Sequence, residues 1–213
     1  QIGVVRGIVG MHFWACKAIG FANHAGTTPM NRRQDALAAA SRAALIVREE
    51  VRSAPGQQVG TVGYIRAQPG ARNIVAGSAE FPVELRDLDK QKVLRIWSRI
   101  EKRFEQISQE ERVSIRCEAT QGNEPALTDA AIQNDIRAAA RAAGLSTLDL
   151  PSGAGHDAQQ IARLAPIGMI FVPSRGGISH SPREYTPPED VANGAEVLYR
   201  TLLSVDVRLH RRP

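Results

Sequence analysis

Histidine is the side chain best able to bind a metal or carry a proton near neutral pH, and His24, His156 and His180 fall in loop-like stretches that contain glycines. His180 follows the apolar run Ile167-Gly168-Met169-Ile170-Phe171-Val172 and the loop Pro173-Ser174-Arg175-Gly176-Gly177-Ile178-Ser179. A buried strand that ends in glycines and then offers an imidazole commonly holds a ligand at the carboxyl edge of a sheet. A solvated loop histidine would give the same pattern. His156 closes Ser152-Gly153-Ala154-Gly155, where two glycines let backbone N–H groups approach a ligand or an oxyanion. With Asp157 it opens a helical stretch over residues 158–163, whose N-terminus would favour negative charge. The plainer alternative is a turn in which Asp157 is only a helix N-cap.

His24 lies in Ala22-Asn23-His24-Ala25-Gly26-Thr27-Thr28-Pro29-Met30, ahead of an alanine-rich helix. A fourth cluster, Pro69-Gly70-Ala71-Arg72-Asn73-Ile74-Val75-Ala76-Gly77, leads into Glu80-Phe81-Pro82-Val83-Glu84-Leu85-Arg86-Asp87. Arg86 offers a planar fork suited to a carboxylate, and the Asn73 amide can donate to the same group. The two are a strand's length apart, so one sheet could present both if its backbone bends. A surface ion pair with Asp87 or Asp89 is the alternative for Arg86.

Taken in this order, the four clusters resemble the carboxy-terminal part of the M20 metallopeptidase family. The closest likeness is to its N-carbamoyl-L-amino-acid hydrolases, β-ureidopropionases and allantoate amidohydrolases. Residues 23–30, 152–158 and 177–182 resemble that branch's motifs nearly residue for residue, and the likeness runs from about residue 3 to about residue 204. The resemblance implies a catalytic α/β domain that holds two divalent metal ions, with a smaller lid domain inserted in it. Zinc is the expected metal, with manganese, cobalt or nickel as alternatives. His180 would be the one metal ligand retained here, with Glu184 orienting it. His24 would donate to the oxyanion from the partner subunit of a homodimer. Asn73 and Arg86 would clamp a carboxylate, with Gly153, Gly155 and His156 near the substrate's amide end.

The remaining ligands and the general-base glutamate are expected before residue 1. The opening Gln1-Ile2-Gly3, with no initiator methionine, fits that expectation. No His-x-Asp or Glu-Glu pair precedes the lid-like region, and Glu49-Glu50 falls late in the alanine-rich helix. The implied activity is hydrolysis of the carbamoyl C–N bond of a small carboxylate such as an N-carbamoyl-L-amino acid or allantoate. An M20-type dipeptidase or aminoacylase would use the same metal chemistry. The rival from another class is a non-catalytic dimerisation module.

The elements that must position these residues are legible as an α+β arrangement. Strands are expected over 12–21, 59–67, 73–87 and 113–119, and helices over 33–52 and 90–109. In the second helix Val93, Ile96, Trp97, Ile100 and Phe104 recur at three- and four-residue spacing. The order βαββαβ predicts a four-stranded antiparallel sheet with two helices on one face, the architecture expected of the family's lid. After about residue 122 the pattern changes to short strands alternating with helices. There Thr128 is expected to cap a helix to residue 143. A last helix is expected to start with Thr186 as cap and Pro187 in its first position. The expected segments are 1–11 ending one catalytic stretch, 12–121 as lid and dimerisation domain, and 122–213 as the terminal α/β catalytic segment.

Composition excludes several classes. The 213 residues carry a net charge of +5, mainly through arginines scattered along helix faces, with one terminal cluster at His210-Arg211-Arg212. No basic stripe interleaved with aromatics is present, so a nucleic-acid partner is not expected. No run approaches the ~20 apolar residues that would cross a bilayer. Cys16 and Cys117 are expected as reduced core residues of a cytoplasmic protein.

Overall fold

Two units carry the chain, residues 10–124 around one sheet and residues 1–9 with those from 125 onward around another. The computed structural model describes residues 1–210, so Arg211 and Arg212 of the terminal cluster lie outside the described residues.

Strand β1 (Ile2–Ile8) belongs to the discontinuous unit, and the chain then enters the continuous one. There β2 (Gly10–Ile19), β3 (Asn23–His24), α1 (Ala36–Ser53), β4 (Val59–Thr61), β5 (Arg66–Gln68), β6 (Ile74–Val75), β7 (Ser78–Asp87), α2 (Lys90–Glu111) and β8 (Ser114–Asn123) follow in turn. The sheet runs β4-β7-β2-β8, all antiparallel, with β5 also paired to β7. One edge therefore comes in two pieces, and the single strand expected over 59–67 is interrupted. Gly63 lies in the break, and a glycine there has no side chain to hold the ladder. The strand expected over 73–87 is also split, by Ala76-Gly77. A Cβ on Gly77 would come within 3.0 Å of the Ala22 backbone nitrogen, so a close crossing of two chain segments takes the place of pairing.

Alternation decides the buried face. Trp14, Cys16 and Ala18 of β2 and Phe81, Val83 and Leu85 of β7 are buried and form one core with α1 and α2. Trp14 stacks on Trp97 of α2 at 4.0 Å between ring centroids. Burial of each such aliphatic or aromatic side chain contributes about 1.5–3 kcal/mol relative to exposure. α1 begins at Ala36, later than expected, because Asp35 caps it by accepting from the amides of Leu37 and Ala38.

The cysteines correct the sequence reading. Cys16 and Cys117 stand directly opposite across β2 and β8, with Cα atoms 4.1 Å apart, and are joined by a disulfide. The sequence separation of 101 hides a register that only the folded pair of strands reveals.

In the other unit, β1 is the central strand and not merely a trailing segment. β10 (Thr147–Ser152) runs parallel to it, and β9 (Ala126–Leu127) and β11 (Ile170–Phe171) run antiparallel. Helices α3 (Ala130–Ala142), the short α4 (Ala158–Ile161) and α5 (Pro188–His210) complete it. Asp129, not Thr128, caps α3. Thr128 is buried, and its hydroxyl donates to the Val5 carbonyl at 2.6 Å. α5 starts one residue later than expected, with the Pro187 carbonyl accepting from the amides of Asp190 and Val191. No helix among the described residues is long and apolar enough to cross a membrane.

Candidate functional site

His24 and Asn73 are brought together by a two-stranded ladder. In it β3 pairs antiparallel with β6, His24 lies opposite Ile74, and the Ala25 amide donates to the Asn73 carbonyl at 2.9 Å. Both residues are exposed. The turn after His24 folds back on it. Its Nδ1 accepts from the amides of Gly26 at 3.0 Å and Thr27 at 3.2 Å. The Thr28 hydroxyl donates to the His24 carbonyl at 2.6 Å. Arg33 closes the turn from outside, its guanidinium donating to the carbonyls of Ala25 at 2.5 Å and Thr28 at 3.2 Å. A cavity of about 570 Å³ beside this turn is lined by Asn23, Thr27, Thr28, Arg32 and Arg33, among others. Arg33 went unnoticed in the sequence because it sits where the helix pattern was expected to begin. The signal that could have found it is the Asp35 cap two residues on, which places Arg33 in the loop.

Arg86 lies in the larger sheet, near the end of β7, half-buried, opposite Met11 of β2 and Val59 of β4. Its Nε donates to the Glu84 carboxylate. Asp87 pairs with Lys92 at 2.9 Å, and Asp89 caps α2. From the Ile19–Ser78 pair to the Met11–Arg86 pair the ladder is about 26 Å long, at ~3.3 Å per residue. Asn73 precedes β6, on the Ser78 side of this ladder. β3 and β6 form a two-stranded sheet of their own.

In the discontinuous unit, Gly153, Gly155 and His156 form an exposed loop after β10. His156 Nδ1 accepts from the Ala158 amide at 3.0 Å, and its own amide donates to Gln159 at 3.2 Å. Gln159 is buried and anchors the loop by donating to the Val9 carbonyl at 3.1 Å. The helix expected over 158–163 is only four residues long, and the Asp157 side chain makes no capping bond. No extended helix N-terminus faces this loop.

His180 lies beyond a 3-10 turn at Arg175–Gly177, where Gly176 and Gly177 both have φ of +65°. His180 itself is left-handed at φ +55°, which is uncommon for a residue with a Cβ. Glu184 does not orient the ring as expected. Its carboxylate accepts from the His180 backbone amide at 2.9 Å and holds the strained backbone. Among the described residues no three His, Cys, Asp or Glu side chains converge as a metal ion requires. A complete metal centre therefore does not fit within the described residues, and His180 could offer one ligand to it.

The family model for peptidase family M20/M25/M40 matches residues 7–204. The N-carbamoyl-L-amino acid amidohydrolase of Geobacillus stearothermophilus is 41% identical over 201 residues, covering 94% of this chain and 49% of that protein. The allantoate amidohydrolase of Bacillus subtilis is 33% identical over 200 residues, covering 93% of this chain and 48% of that protein. A crystal structure of an amidase of the hydantoinase/carbamoylase family from Burkholderia multivorans matches with a TM-score of 0.90 at 34% identity. It covers 95% of this chain and 49% of that one. The chain spans about half the length of the curated relatives it matches.

Proposed function

This chain belongs to peptidase family M20/M25/M40, and from that footing we propose that the whole protein hydrolyses the carbamoyl C–N bond of a small ureido carboxylate. An N-carbamoyl-L-amino acid or allantoate is the substrate class, in keeping with the names of the relatives. The observation that carries the reading is the His24–Asn73 ladder. It brings His24 and Asn73 onto neighbouring, exposed strand ends, on a turn closed by Arg33. Such a pair suits a planar amide that becomes a tetrahedral oxyanion.

His24 is read as the oxyanion donor, and Asn73 and Arg86 as the groups that grip the carboxylate end. A ureido carboxylate is only a few bonds long and cannot bridge the ~26 Å between the two ends of one ladder. We therefore read the site as shared in a homodimer, in which residues 10–124 act as the lid. One copy supplies Arg86, and its partner supplies His24 with Asn73. Gly153, Gly155 and His156 are read as lying near the amide end.

Members of this family are generally metal-dependent. A bound divalent ion, zinc by first expectation, would polarise the carbonyl and supply hydroxide from water. His180 is read as one of its ligands, the others coming from residues other than those described.

The carboxylate grip is tested by Arg86→Lys in the whole protein. Arginine's fork matches a carboxylate in a way lysine's ammonium does not. The substitution should weaken kcat/KM for a carboxylate substrate by about 1.5–3 kcal/mol, the range for a hydrogen bond to a charged group. An analogue with a neutral amide in place of the carboxylate should lose little further on the variant. Comparing both substrates on both enzymes isolates the coupling. An equal penalty on the two would mean that Arg86 serves the structure, as in its ion pair with Glu84, and not the carboxylate.

A further inference from the structure

The three histidines of the glycine-containing stretches are held in two different ways. His24 Nδ1 receives the Gly26 and Thr27 amides, and His156 Nδ1 receives the Ala158 amide. A backbone N–H can only donate, so the ring nitrogen that receives it must present a lone pair. A neutral imidazole has one such nitrogen, and its proton then sits on the other. We infer that His24 and His156 are locked as Nε2–H tautomers, fixed hydrogen-bond donors and not metal ligands, with Arg33 and Gly26 as the positioning residues that set the lock at His24.

Metal ligation through Nε2 would need the lone pair there and the proton on Nδ1. At His24 that proton would point at two N–H groups, and both hydrogen bonds would be lost. His180 differs, because Glu184 accepts from its backbone amide and, among the described residues, no amide donates to its ring. The same three sequence contexts thus divide into two donors and one ring available as a ligand.

Arg33 sets the lock by stapling both ends of the turn. Its Nη2 takes the Ala25 carbonyl and its Nε takes the Thr28 carbonyl, so the intervening amides of Gly26 and Thr27 aim back at the ring. The Arg33 backbone is held in turn, its carbonyl accepting from Arg112 at 3.2 Å. Gly26 leaves room for the ring, since a Cβ there would lie 3.2 Å from His24 Cε1. Free neutral histidine exchanges between two tautomers. A catalytic donor gains from being held in the right one before substrate arrives.

The test is two-bond ¹H–¹⁵N spectroscopy of the ¹⁵N-histidine-labelled chain at a pH where the rings are neutral, with His24→Gln and His156→Gln giving the assignments. Both residues should show a protonated Nε2 and a bare Nδ1. Arg33→Gln should move His24 alone to the averaged two-tautomer pattern, with His156 unchanged and the signal of His12, in the same unit as Arg33, unchanged as the internal control for folding. Arg33→Lys should restore part of the original pattern. In the whole protein Arg33→Gln should lower kcat about tenfold with KM unchanged, an effect that rests on the donor role proposed above. An Nδ1–H or averaged pattern at His24 in the unmodified chain overturns the lock. An unchanged His24 pattern in Arg33→Gln overturns the role of Arg33. The lock is read without turnover, so it can stand even where His24→Ala turns over normally and the donor role fails.

Discussion

His24→Ala should lower kcat of the whole protein about 10²–10³-fold, about 3–4 kcal/mol, the usual loss when one oxyanion donor is removed. Metal content and KM should hardly change. The reason is geometric. His24 is exposed at the end of a two-residue strand and makes no core contact, so its loss opens no cavity. What disappears is a donor that strengthens as charge develops on the carbonyl oxygen, and such an interaction appears in kcat and not in ground-state binding. Steady-state kinetics on an N-carbamoyl amino acid, with metal analysis on the same sample, checks it. A rise confined to KM would make His24 a binding residue only.

His180→Ala should behave in the opposite way and lose metal and turnover together. A stable site needs three or four protein ligands, so removal of one imidazole is enough to empty it. The left-handed backbone at His180 offers a control, because asparagine tolerates φ near +55° better than most residues. His180→Asn should keep the loop and still lose the metal, which separates ligand chemistry from backbone strain. Full metal occupancy and activity in either variant would remove His180 from the site.

Much of the fold was legible where periodicity is strong. Val93, Ile96, Trp97, Ile100 and Phe104 were read from spacing alone, and all five are buried on one face of α2. The legibility failed where the outcome depends on which strands meet. The break between β4 and β5 lies in a stretch that reads as one strand, and residues 1–11, read as the end of one catalytic stretch, hold the central strand of their sheet. Cap placement slipped by a residue at Thr128 and at Pro187, because neighbouring residues could serve the same role and tertiary contacts chose between them. The disulfide was missed for the same reason of register.

The candidate site shows the same division. Motif chemistry singled out His24, Asn73, Arg86, His156 and His180 without any pairing information. Their arrangement was not in the motifs. The meeting of His24 with Asn73 depends on the β3–β6 ladder, and the place of Arg86 depends on the pairing of β2 with β7. Nothing local in the sequence announces that Arg33 reaches back to close the His24 turn.

The central claim is that His24 with Asn73 and Arg86 act on one substrate from two different copies, and mixing two inactive variants tests it most directly. His24→Ala and Arg86→Ala are each prepared alone, then mixed, dissociated and reassembled. In a hybrid dimer one of the two sites would combine an intact Arg86 from one copy with an intact His24 from the other, and the second site would carry both lesions. At random reassortment the mixture should recover about a quarter of the unmodified activity. No recovery, with hybrid dimers shown to have formed, would mean that both residues serve a substrate within one copy or that they do not serve the same substrate, and would contradict the shared site.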